Sequence, residues 1–565
     1  PVFRLASKKL CIVIAGVFFT ACTADPAMRG ADLVFRGGAV YTVNAERSWA
    51  SAVAIEDGKI TYVGDDAGIT KHIGQETEVT ELAGKMLMPG FHDSHMHPMA
   101  AGTRFLRCNL AGLTWPGEIT EKIRQCAPDV KPGQWFRGVN LDSGLFKDNR
   151  LHKSMLDELL PDIPAFITSH NGNPAWVNSR TLAIAGINRS TPDPVKGIIE
   201  RDPVSGQPSG VLRDTALYNV YRLIPPPDTD DLRKALRLAS DMANRLGITS
   251  SNEASMQPEH HAAYLEAETA GELTLRIQGS QSWDYDLGPG QIDTLAERRA
   301  SAQGGRFTAN SVKFFLDGSS NRMGALLEPY TDTEDDFGSI NFSISTIKDL
   351  AQQLDAMGFQ LHMHAYYDAA VRQGLDAIEH VLAANPEWDR RHQLAHIALI
   401  DPTDMGRFRR LGVTADIQPL WAYLDTERLT EVTSLGDERA SRLLAFRSLF
   451  SSGARVVAGS DWISKSMNPL YSIQVAVTRR PPNGSGPAWI PEQRVLLEQM
   501  IEAYTINGAW IAHQETETGS IEVGKFADLI VLEQNLFETD PMKLKDVKVL
   551  LTLLEGEEVY RDPRF

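Results

Sequence analysis

Residues Gly90-Phe91-His92-Asp93-Ser94-His95-Met96-His97 set two imidazoles two positions apart behind the apolar run Met86 to Met88. In a strand, alternate side chains share a face, so Asp93, His95 and His97 would project together. Two imidazoles on one side can grip one metal ion. A core or surface histidine pair is the plainer alternative. Lys313 interrupts a second apolar run, Ser311-Val312-Lys313-Phe314-Phe315-Leu316-Asp317, and shares its face with Phe315 and Asp317. A lysine inside a fold must shed its charge or find a partner. It can pair with Asp317, or it can take up CO2 as a carbamate able to bridge two metals. His362 and His364 alternate with apolar residues in Phe359 to His364; His396 sits in Leu394 to Ile397; Asp461 follows Val456-Val457-Ala458-Gly459-Ser460. Singly, a strand histidine is usually a satisfied core residue, and an aspartate at a strand end often caps a helix.

These residues act together only if a fold gathers them. Strand candidates fall at 86–95, 247–253, 273–279, 311–317, 359–364, 393–399, 412–418 and 454–460. Helical patterns lie between most of them. Residues 231–246 carry apolar positions at helical period and stop at Gly247; residues 345–357 repeat the plan, with Ser345 as N-cap and Gly358 after the end. Strands alternating with helices give the α/β class, here a (β/α)8 TIM-type barrel spanning 89–514. Catalytic residues of that barrel sit at the C-terminal ends of the strands, and the candidates above all fall there. Four imidazoles, a carbamate and a carboxylate at one rim suit two divalent ions, zinc first. Residues 104–230 are too long for one connection and form an inserted subdomain after strand 1, over the barrel mouth. Short strands with turn signals at 31–88 and 515–565 form a small β-sandwich domain built from both termini; Asp57-Gly58 reads as a hairpin turn.

The motifs Met88-Pro89-Gly90-Phe91-His92-Asp93-Ser94-His95-Met96-His97, Gly459-Ser460-Asp461 and Gly519-Ser520-Ile521-Glu522-Val523-Gly524-Lys525-Phe526-Ala527-Asp528-Leu529 resemble the amidohydrolase superfamily of metal-dependent hydrolases. Val312 to Gly318, Trp176-Val177-Asn178-Ser179 and Gly206 to Leu212 are similar to its N-substituted formamide deformylase-like branch. The resemblance covers about residues 31–555. It implies His95, His97, Lys313, His364, His396 and Asp461 as metal ligands, and favours His364 over His362 and His396 over His392. It implies two zinc ions, a CO2-derived carbamate on Lys313, and hydrolysis of an amide-type C–N bond in an N-acyl or N-formyl amine, with Asp461 also moving the proton. Trp176, Asn173, Gln418 and Asp317 are the candidates for touching substrate. Asn173 stands where the branch more often has histidine, and Tyr366-Tyr367 replaces a smaller pair. Two rivals stay open: a one-metal deaminase of a cyclic substrate, and a barrel that binds without catalysis.

The 565 residues carry 56 Lys+Arg against 73 Asp+Glu, a net charge of −17, which argues against a nucleic-acid partner. With 4 cysteines the chain is no disulfide scaffold, although Cys108 and Cys126 either pair or stay buried thiols. Basic residues before the apolar run Leu10 to Ala21, ending Phe19-Thr20-Ala21-Cys22, resemble a bacterial lipoprotein signal spanning 1–21. That implies export, lipid on Cys22 and a periplasm-facing position on the cell envelope, the soluble periplasmic form being the alternative. The remaining partner is a small-molecule substrate. A homo-oligomer is neither required nor excluded.

Overall fold

A computed structural model describes residues 30–146, 151–169, 172–195, 197–318 and 322–565. Eight parallel strands form one sheet in sequential order: β1 Phe91–Met96, β2 Ile248–Met256, β3 Arg276–Ser282, β4 Phe307–Phe315, β5 Gln360–Ala365, β6 Gln393–His396, β7 Thr414–Ile417 and β8 Val456–Ala458. The sheet curls until its ends meet. The Asp461 N–H donates to the His95 carbonyl at 2.7 Å, and the Ser460 N–H to Asp93 Oδ1 at 3.0 Å. A Cβ on Gly459 would lie 2.5 Å from His95 Cβ, so only glycine lets β8 come this close to β1. The fold is a (β/α)8 barrel with further domains.

Local chemistry explains the outer helices. Thr229–Asn244 is capped by Asp228, whose side chain accepts the Asp231 N–H, and it buries Leu232, Ala235, Leu236, Ala239 and Ala243. Pro402–Leu411 is capped by Asp401 and ends at Gly412 with φ 64°. The helix before β5 is Ile344–Ala356, and Ser343 rather than Ser345 is its cap, accepting the Thr346 N–H. Both serines stand two residues apart in one polar turn, so the sequence pattern alone did not separate them.

The run expected as one strand over 86–95 is two. Met86–Pro89 pairs antiparallel with Leu529–Leu532, and Gly90 then turns the chain into β1. Those two strands join Val549–Leu554, Glu557–Arg561, Ala39–Tyr41 and Trp49–Ala50 in a six-stranded sheet made from both ends of the described chain. It packs on a four-stranded sheet through Phe35, Val53, Ile55, Leu87, Val531 and Leu551. Two expected strands also shift: β4 starts at Phe307 and stops before Asp317, and β6 stops at His396, where φ turns to 80°.

Between β1 and β2 lies a separate six-stranded sheet running from Cys108–Asn109 to Pro208–Asp214. Its core holds Phe136, Ile167, Trp176 and Val211. A Cys108–Cys126 disulfide ties its edge strand to the helix Pro116–Cys126. Among the described residues, no helix is long and apolar enough to cross a membrane.

Candidate metal centre

The C-terminal ends of the barrel strands converge on a buried polar cluster. His95 is buried on β1, and its Nδ1 lies 2.6 Å from Asp416 Oδ2 on β7. His97, just past β1, has Nδ1 3.6 Å from Glu253 Oε1 on β2 and Nε2 3.2 Å from Asp461 Oδ1. His364 on β5 has Nδ1 3.0 Å from Asp317 Oδ1. His396 on β6 has Nδ1 2.8 Å from Gln418 Oε1. In all four rings Nδ1 faces a side-chain oxygen. An Nδ1–H donated there leaves the lone pair on Nε2, the arrangement that prepares a histidine to bind metal.

Lys313 is buried at the centre of this cluster. Its Nζ lies 3.4 Å from His95 Nε2 and 3.1 Å from His362 Nε2, both acceptors when their Nδ1 atoms carry the proton. Burial pushes the amine down to about 7, against the opposing pull of Asp416 and Asp461. Burial also holds His95, His362 and His396 well below the ordinary imidazole value, with the Lys313 charge adding to the effect. A neutral imidazole is the form that ligates. His97 goes the other way, to about 9, because the neighbouring carboxylates of Asp461 and Glu253 outweigh its burial.

Two trios bring their ligand atoms within 4.8 Å of one another: His95, His97 and Asp461, and His95, His362 and Asp416. The second is knitted together internally. Asp416 Oδ2 sits 2.6 Å from His95 Nδ1, and His362 Nδ1 is 2.9 Å from Ser280 Oγ. The first leaves His95 Nε2 3.8 Å and His97 Nε2 3.2 Å from one Asp461 oxygen, a spacing open to a shared cation. His364 and His396 stand beside it, ring centroids 4.5 Å apart. This donor set of imidazoles and carboxylate fits a borderline divalent metal such as zinc.

The four residues expected to touch substrate have the following surroundings in the structure. Asp317 is buried and fully engaged, accepting from the N–H groups of Tyr366, Tyr367 and Ala325 besides facing His364. Gln418 is likewise enclosed, facing His396 with its oxygen and donating to Asp416 Oδ1 at 3.1 Å. Both orient histidines. Trp176 has 0% exposure inside the inserted domain, so it lines no mouth. Asn173 donates to Asp214 Oδ1 at 2.6 Å and is tied into its own sheet. Cys22 lies outside the described residues. Conversely, Asp416 and Glu253 were missed. Asp416 lies near the C-terminal end of the apolar run Val413 to Ile417, the signal that picked out Asp461, whereas Glu253 follows the polar run Thr249 to Asn252 of β2 and carried no such signal. The outer wall is aromatic: Trp421 stacks flat on His396 at 5.4 Å, and the Tyr366 hydroxyl donates to Glu431 Oε1 at 2.5 Å and accepts from Arg428.

Barrel and cluster together define a metal-dependent hydrolase fold. Residues 78–560 match the amidohydrolase family, and the chain belongs to it. It is 31% identical over 551 residues to Protein LONG AFTER FAR-RED 3 of Arabidopsis thaliana, covering 95% of this chain and 92% of that one. It is 27% identical over 537 residues to N-substituted formamide deformylase of Arthrobacter pascens, covering 93% and 97%. A metal-dependent hydrolase from Pyrococcus furiosus shares the fold at a TM-score of 0.74 with 24% identity, over 90% of this chain and 100% of that one.

Proposed function

We propose that the chain hydrolyses an amide-type C–N bond of an N-acyl or N-formyl amine, using two zinc ions held by His95, His97, His364, His396, Asp461 and a carbamate on Lys313. The observation that carries this reading is the three Nδ1 tethers of His95, His364 and His396, with His97 Nδ1 facing Glu253 Oε1 from 3.6 Å, around one buried lysine. When bound, such ions supply a water acidic enough to lose a proton near neutrality and polarise a carbonyl. The chain does the rest. Asp461 Oδ1 stands between His95 and His97, while Oδ2 accepts the Ser464 hydroxyl at 2.7 Å. Held this way, Asp461 accepts a proton from the attacking water and returns it to the departing nitrogen. The C–O bond forms, the C–N bond breaks, and acid and amine leave. The aromatic wall of Tyr366 and Trp421 excludes water and favours an apolar substituent.

The deformylase named above supports the substrate class by similarity. We also propose export with lipid on Cys22, supported by the sequence pattern around that residue. The test of the reaction is a panel of N-formyl and N-acyl amines with zinc-reconstituted protein, amine release being the readout. Chelator-sensitive release supports the reading. A protein that binds zinc yet only deaminates cyclic substrates, with one ion per chain and unmodified Lys313, overturns it.

A further inference from the structure

Glu253 has no part in the ligand set, yet it is fully buried on β2 with Met96 of β1 as its register partner. Its two oxygens differ. Oε2 accepts the Met99 N–H at 3.2 Å and the Tyr264 hydroxyl at 3.0 Å. Oε1 has no hydrogen-bond partner among the described residues, and it points at His97 Nδ1 from 3.6 Å. A buried carboxylate oxygen without a donor is costly, so this one is held where a donor is meant to arrive. His260 is another imidazole near Glu253, and its Nδ1 accepts the Gln257 N–H at 3.3 Å.

His97 needs such a partner more than the other rings do. Its side chain is 25% exposed, whereas those of His95 and His364 are 1% and 4% exposed. It also sits at the N-cap of the helix Pro98–Phe105, off the end of β1, so strand geometry does not fix its ring. Resting on the reading that His95, His97 and Asp461 share a metal, we infer that Glu253 is the positioning residue of His97. It selects the Nδ1–H tautomer and aims Nε2 at the Asp461 side. The clamp from Met99, on the helix after β1, and Tyr264, on the helix Pro258–Thr269 after β2, makes one carboxylate fix both loops around the ring.

The test uses full-length protein, stripped of metal and titrated with cobalt(II), in three forms: unchanged, Glu253→Gln and Tyr264→Phe. Chelator competition gives affinity, the visible spectrum gives ligand geometry, and steady-state kinetics separate kcat from KM. Glu253→Gln is expected to weaken cobalt binding about 10- to 100-fold, shift the spectrum and lower kcat with little change in KM. Tyr264→Phe keeps the charge and loses one clamp, so a smaller loss in the same direction is expected. If the unchanged protein binds cobalt and Glu253→Gln matches it in affinity and spectrum, this inference is overturned alone. If the unchanged protein binds no cobalt, the reading beneath it falls instead. Where Glu253→Gln yields no folded protein, nitrogen-15 histidine spectra of the zinc-loaded unchanged protein decide. A proton on His97 Nδ1 supports the inference, and one on Nε2 overturns it.

Discussion

At the residue scale, the site divides into side chains proposed to touch the reaction and those that aim them. Asp461 is placed in the first group. Asp461→Ala is expected to cut turnover by about 10²- to 10⁴-fold while most of the metal stays bound; metal content and kcat measured on one preparation check both halves. Lys313, buried beside His95 and His362 with no carboxylate in hydrogen-bond contact among the described residues, is expected to gain one CO2 on metal loading. Zinc reconstitution in bicarbonate then recovers more activity than in bicarbonate-free buffer, and Lys313→Met abolishes the difference. Trp176 belongs to neither group. Trp176→Ala empties a fully buried site in the inserted domain and is expected to destabilise that domain by about 3–5 kcal/mol, with kcat near normal well below the melting midpoint. The sequence made the clustered residues readable, because histidine, lysine and aspartate interrupt apolar strands where a barrel gathers them. It hid what the histidines lean on: Asp416 and Gln418 come from the end of β7 and Glu253 from β2, and only the closed sheet brings them to His95, His396 and His97.

At the element scale, the strand ends carry the site and the strand starts carry the dock for the β-domain. Arg276 opens β3, and its guanidinium meets Asp528 at 2.7 Å and Glu555 at 2.7 Å. Phe526 lies under it, ring centroid 4.8 Å away. Arg276→Met leaves buried Asp528 without its countercharge, and a loss of about 3–5 kcal/mol is expected in denaturant unfolding. Glu555 adds a pH signature. Burial pushes its carboxyl up, but Arg306 and Arg276 outweigh that and hold it below the usual glutamate value. Its contribution to stability is therefore complete above the unfolded glutamate value and lost as pH falls through the lower folded one. Melting midpoints are expected to drop as pH falls below the usual glutamate range, less steeply in Arg276→Met. Helix periodicity and glycine stops made the alternation of strands and helices legible. The break at Gly90 was overlooked although Pro89-Gly90 is a turn signal, and the partner strand Leu529–Leu532 reveals that the first half of the run belongs to another sheet.

At the scale of the whole molecule, one barrel supports two additions with separate cores. The β-domain uses both ends of the described chain and covers the strand starts through Arg276 and Asp528. The inserted domain rises between β1 and β2, stapled by Cys108–Cys126. Reduction of that disulfide is expected to lower the insertion's stability by roughly 3 kcal/mol, seen as an earlier unfolding step in reducing buffer, while the buried cluster inside the barrel is unaffected. The central claim is that the barrel mouth cages two cations through imidazole Nε2 atoms, and anomalous diffraction from zinc-loaded crystals tests it most directly. The account predicts two peaks, one against His95, His97 and Asp461, the other against His364 and His396, with extra density on Lys313 between them. A single peak seated among His362 and Asp416, or none with zinc in excess, would contradict it.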